Sequence, residues 1–116
     1  MLGKVKPFIP SGPDFAAARM FFVELGFSVD WEAPGLAQLS LGEAAFILQD
    51  FHNKELQENL MMFVSVADLD GWWHHVQVSG VLGKYPDVRA KEPQVYPWGQ
   101  REVHLIDPAG VCWHFA

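Results

Sequence analysis

Residues 5–27, "VKPFIPSGPDFAAARMFFVELGF", and residues 60–80, "LMMFVSVADLDGWWHHVQVSG", follow one pattern. Each begins with a short β-prone run, breaks at polar or turn-forming residues ending in an Asp, and continues with apolar residues at helical spacing before a Gly. In the first stretch Phe15, Ala18, Phe22 and Leu25 form the apolar stripe; in the second it is Leu69, Trp72 or Trp73, and Val76. An Asp side chain caps the free N–H groups at a helix start, and Gly relieves the strain of a helix end. The equal spacing of Asp14 to Gly26 and Asp68 to Gly80 predicts two helices, near residues 14–25 and 69–79.

Short alternating segments follow each helix. In the first half they are "FSVDWEA", "LAQLSL" and "AAFILQDF", separated by Pro34-Gly35 and Gly42-Glu43. In the second half they fall near "VRAKEPQVY", "REVHLI" and "VCWHF", the last two joined by "DPAG". The pattern is βαβββ twice, over modules of about 4–51 and 59–116, in one domain covering 1–116. The fold class that follows is α+β, with paired βαβββ modules forming a U-shaped mixed sheet around a cleft. The polar "HNKELQENL" between the modules reads as a connector with room for a turn of helix.

Composition narrows the function. With 116 residues, half of them apolar, 19% charged and 16 of them aromatic, the chain suits a packed globule rather than a disordered one. Net charge is −6 and the eight Lys and Arg are scattered, so no stripe exists to neutralise a phosphate backbone and no nucleic-acid partner is expected. Apolar runs such as "LMMFV" are too short to span a bilayer, so no membrane partner is expected, and "MLGKVKPFIPSGPD" lacks the apolar stretch of a signal peptide. Cys112, the lone cysteine, excludes an intrachain disulfide, and the expected location is cytoplasmic.

Alternation sets which side chains share the cleft face. Met61, Phe63 and Ser65 face it, while Met62, Val64 and Val66 turn to the helices. A type I turn with a bulge at Gly110 sets His104 opposite His114 and brings Glu102, Ile106 and Cys112 to the same face. Trp31, Phe63 and Trp98 are the expected stacking residues, with Glu102 as a charge partly open to water. The pair His74-His75 points in two directions on a helix and reads as surface, and nothing ties His52 to the cluster. Trp72, Trp73 and Trp113 read as core. Cys112 and His114, two apart on a strand, lack an orienting group for nucleophilic catalysis, so no catalytic residue is assigned.

Paired βαβββ modules closing in Pro97-Trp98-Gly99, Arg101-Glu102, Asp107-Pro108-Ala109-Gly110 and Cys112-Trp113-His114-Phe115 resemble the vicinal oxygen chelate superfamily, which includes glyoxalase I, extradiol dioxygenases, and fosfomycin- and bleomycin-resistance proteins. The bleomycin-resistance branch is the most similar, over about Val5 to Phe115. Superfamily enzymes hold a metal at positions that fall here near Pro7, Leu48, Met61 and His114, and three of those four cannot ligate one. The resemblance therefore implies no metal, no cofactor and no chemistry. It implies a homodimer that sequesters a small molecule, aromatic and cationic in kind, such as a bleomycin-like antibiotic, with ligand contacts from Trp31, Phe63, Trp98, Glu102, His104 and His114. The alternative is a superfamily enzyme of lyase or dioxygenase type, with a displaced metal or an acid-base site at Glu102, His104 and His114.

Overall fold

The computed structural model describes residues 1–116 and contains nine strands and four helices. The first module consists of β1 (Phe8–Pro10), α1 (Phe15–Leu25), β2 (Ser28–Ala33), β3 (Leu36–Leu41) and β4 (Ala44–Gln49). After α2 (Lys54–Glu58), the second contains β5 (Met61–Val64), α3 (Leu69–Ser79), α4 (Val81–Lys84), β6 (Arg89–Ala90), β7 (Gln94–Val95), β8 (Arg101–Ile106) and β9 (Cys112–Phe115). The class is α+β. Its mixed sheet is in two halves, ordered β1-β4-β3-β2 and β5-β9-β8-β6, with β7 also on β8. The terminal strands of each module pair in parallel and the rest antiparallel.

Both predicted helices form with the predicted caps. Asp14 accepts a hydrogen bond from the Ala17 N–H and Asp68 from the Gly71 N–H, each at 3.0 Å. Gly26, at φ 120°, ends α1, and a Cβ there would meet His75 Nε2 at 2.9 Å. His75 is the reason for that close approach, since its Nε2 lies 2.7 Å from the Leu25 carbonyl. The expectation that His75 is a surface residue is thus corrected: it ties α3 to the end of α1, while His74 is exposed.

One apolar core spans both modules. Phe22, Phe27 and Phe46 of the first module meet Trp113 of the second, with ring centroids 5.0 to 6.2 Å apart. Trp113 is buried, as expected, and Trp72 and Trp73 pack partly buried against the same cluster. The indole N–H of Trp113 donates to Asp107 Oδ2 at 2.9 Å, and Asp107 Oδ1 accepts from the N–H groups of Ala109 and Val111. That buried carboxylate therefore organises the "DPAG" turn and anchors the core indole together. Behind the turn, the buried Gln57 of α2 donates to the Ala109 carbonyl and accepts from the Asn53 N–H, which fastens the connector to the hairpin.

The second module differs from a plain βαβββ in two places. The segment expected near residues 88–96 is split into β6 and β7, both paired with β8, because Pro93 between them has no N–H for the ladder. A short helix, α4, follows Gly80, whose φ of 80° reverses the chain after α3.

Candidate functional site

Helices cover one face of the two sheets and leave the other open, and burial alternates accordingly. On β5, Val64 is buried while Met61 and Phe63 are 67% and 53% exposed. On β8 and β9 the register is His104 with His114 and Ile106 with Cys112, as the turn chemistry predicts. Phe63 is the cross-strand partner of His114, and Met61 that of Cys112. Phe63, Glu102, His104 and His114 are therefore assembled on one face.

Trp98 joins them through the hairpin between β7 and β8. The Gly99 N–H bonds the Tyr96 carbonyl and the Tyr96 N–H bonds the Gln100 carbonyl, with Gly99 at φ 89° supplying the turn. Folded back by that turn, the Trp98 indole N–H donates to Glu102 Oε2 at 2.8 Å. Its ring lies near-parallel to Tyr96 (centroids 5.1 Å, 12°) and to His104 (6.3 Å, 12°), and Tyr96 stacks on His104 at 4.0 Å. Trp98 remains 59% exposed, so the stacked group presents indole surface outward.

Glu102 is the hub of this arrangement. His104 Nε2 lies 2.8 Å and His114 Nδ1 3.0 Å from its Oε1, and a carboxylate can only accept. Burial alone would push the Glu102 carboxyl up, but the hydrogen bonds from Trp98, His104 and His114 outweigh it and hold the group below its usual range. Glu102 is 2% exposed, which corrects the expectation of a charge partly open to water. Its role on this face is to fix three aromatic rings.

Trp31 stands apart from these residues. It lies on β2, the outer strand of the first sheet, and its indole N–H donates to Gln38 Oε1 at 3.0 Å. A register shift between Val29 and Trp31 lets Asp30 reach the same face, where its carboxylate accepts from Gln38 and from Ser40. These hydrogen bonds, Gln38 before Ser40, hold the Asp30 carboxyl below its usual range. Within one chain, then, Trp31 is not gathered with Trp98 and Phe63.

The first module also corrects the positions carried over for a superfamily metal. Leu48 is fully buried toward the helices, whereas Ile47 and Gln49 turn to the open face and Phe8 of β1 pairs with Ile47. The open-face residues nearest the superfamily positions are thus Phe8, Gln49, Met61 and His114, a set that does not fit a metal.

One recess borders the site and another lies apart from it. An apolar one of about 370 Å³ lies at the seam of the sheets, lined by Val5, Ala45, Phe46, Met62, Phe63 and Trp113 among others. The other, about 690 Å³, lies by the connector among polar groups such as His52, Lys54, Asp87 and Arg89, away from the aromatic face.

Tyr96 escaped the sequence reading although it stacks between recognised residues. The available signal was alternation: Tyr96 and Trp98 are two apart, as are Glu102 and His104.

No family model and no curated relative matches this chain. Its fold is shared with solved bleomycin-binding and glyoxalase/bleomycin resistance proteins. A bleomycin-binding protein complexed with bleomycin superposes with a TM-score of 0.81 at 22% identity, covering 98% of this chain and 97% of that one. The bleomycin-binding protein from bleomycin-producing Streptomyces verticillus, complexed with copper(II)-bleomycin, gives 0.79 at 22% identity, covering 100% and 98%. A bleomycin resistance determinant encoded on the transposon Tn5 gives 0.78 at 22% identity, covering 98% and 96%.

Proposed function

We propose that this chain is a non-enzymatic binding protein that sequesters a planar, cationic small molecule of the bleomycin kind. The observation that carries the reading is the outward-facing group of Trp98, Tyr96 and His104, locked in near-parallel planes by a buried carboxylate. Such a surface is preorganised for stacking and cation-π attraction, and little ordering is left for the ligand to bring about. The bleomycin-bound structures of the same fold support the choice of ligand class. An acid-base role for Glu102 is disfavoured because the carboxylate is engaged by three N–H donors.

The working form in this reading is a homodimer. Phe8 and Trp31 on the first sheet, Met61 and Phe63 on the second, Trp98 in the turn between β7 and β8, and Val5 on the N-terminal segment are all more than 40% exposed, a large apolar surface for one chain to leave in water. A two-fold partner would close it, and would set the Trp31 face of one copy toward the Trp98 face of the other. Light scattering is expected to report twice the chain mass, and a concentration-independent monomer would remove this part of the proposal. The ligand is tested by titrating metal-free bleomycin while following Trp fluorescence. Saturable quenching with the drug recovered unaltered is expected, and chemically changed drug would overturn sequestration.

A further inference from the structure

We infer that His104, His114 and Cys112 form a binding site for a divalent transition-metal ion of the zinc class, sharing only His114 with the superfamily's metal positions. The donor atoms these three residues offer all lie within 4.8 Å of one another. They come from adjacent strands in fixed register, His104 opposite His114 and Cys112 two residues before His114 on the same face. A four-coordinate ion with bonds of about 2.0 to 2.3 Å sets its donors about 3.5 Å apart, so side-chain movements of about 1 Å would close the site.

A second, independent observation points the same way. His114 Nδ1 donates to Glu102, so its Nε2 carries the lone pair, and that atom is buried without any hydrogen-bond partner. A buried acceptor left unmet is costly, and it is the form of imidazole that ligates a metal. His104 is held likewise: Nε2 faces Glu102 Oε1, which leaves the lone pair on its other ring nitrogen. Metal-binding histidines are commonly oriented by such a carboxylate on the far side of the ring, and here one carboxylate oxygen orients two.

The carboxylate that a sequence reading would enlist as the third ligand, Glu102, is therefore the orienting group, and Cys112 takes the third place. On metal entry the Cys112 thiol gives its proton to solvent and its sulfur becomes a thiolate ligand. Two imidazoles and a thiolate suit Zn(II) and its relatives far better than Mg(II) or Ca(II). The histidine side chains retain 22% and 15% exposure, so the fourth position opens toward the cleft for water or a donor atom of a bound molecule.

The test uses Co(II) as a spectroscopic stand-in for Zn(II), on chelator-treated protein and with no small-molecule ligand present, so its outcome is separate from that of the drug titration. Uptake of roughly one equivalent per chain is expected, with the strong near-ultraviolet absorption of a cobalt–thiolate bond and displacement by Zn(II). Cys112→Ser, nearly isosteric, should remove the thiolate band and weaken uptake at least tenfold while circular dichroism stays unchanged. His114→Gln should weaken it similarly, and His74→Gln, on the exposed face of α3, should leave it as in the parent. Absence of uptake, or uptake whose spectrum and affinity survive Cys112→Ser, would overturn the assignment.

Discussion

Asp107→Ala is expected to lower the free energy of unfolding by about 3–5 kcal/mol near pH 4, read from urea denaturation. The carboxyl group accepts from the N–H groups of Ala109, Val111 and the Trp113 indole. Removing it strands three donors, two of them buried, and each costs about 1–3 kcal/mol when no water can reach it. The loss is concentrated because one side chain serves both the turn before β9 and the indole that joins the two module cores.

The same substitution should cost less as pH rises. Burial pushes the Asp107 carboxyl up from 3.8 to about 6, despite the opposing hydrogen bonds from Trp113, Val111 and Ala109. A folded-state value above the unfolded one means that the folded chain holds the proton more tightly between about pH 4 and 6, so the group's contribution to stability falls as pH rises through that window. The displacement corresponds to about 3 kcal/mol, and above pH 6 the cost of Asp107→Ala should shrink by that amount. All other titrating groups are common to both proteins and cancel in the difference. A cost that grows with pH would show that the three donors favour the ionised form strongly enough to outweigh burial.

Local rules made much of this fold legible. Asp14 and Asp68 cap helices of equal length because capping chemistry is confined to a few neighbouring residues, and the His104–His114 register follows from the turn beside it. What escaped depends on partners distant in sequence or on small breaks in a period. His75 reads as surface until α1 arrives 50 residues away to offer the Leu25 carbonyl. The irregularity at Asp30 turns two consecutive side chains to one face, which strict alternation forbids, and thereby gives Trp31 its Gln38–Asp30 setting. Gln57 is buried by a turn 52 residues away, so its polar neighbourhood in the chain suggests only a connector. The candidate site divides the same way: the residues on β5, β8 and β9 were readable from alternation, whereas the burial of Glu102 required the Trp98 hairpin to fold over it.

That burial changes what mutation of the aromatic face should do. Trp98→Ala is expected to weaken bleomycin binding at least tenfold with little loss of stability, since the exposed indole contributes stacking worth about 1.4 kcal/mol or more to the ligand but little packing to the core. Glu102→Gln should match or exceed it. Glutamine offers one acceptor oxygen and an NH₂ group where Trp98, His104 and His114 all present N–H groups, so either a ring loses its anchor or both histidines must switch tautomer. Because Glu102 is 2% exposed, added salt should hardly alter its effect; a loss confined to low salt would mean that the carboxylate acts as a long-range charge rather than by fixing the rings. Trp31→Ala then decides where the ligand lies. If two copies form the cleft, that substitution on the first sheet should weaken binding at least severalfold, although Trp31 is not gathered with Trp98 in its own chain. If Trp31→Ala binds as the parent does while Trp98→Ala does not, the ligand rests on the second sheet alone, and a cleft shared between copies must be given up.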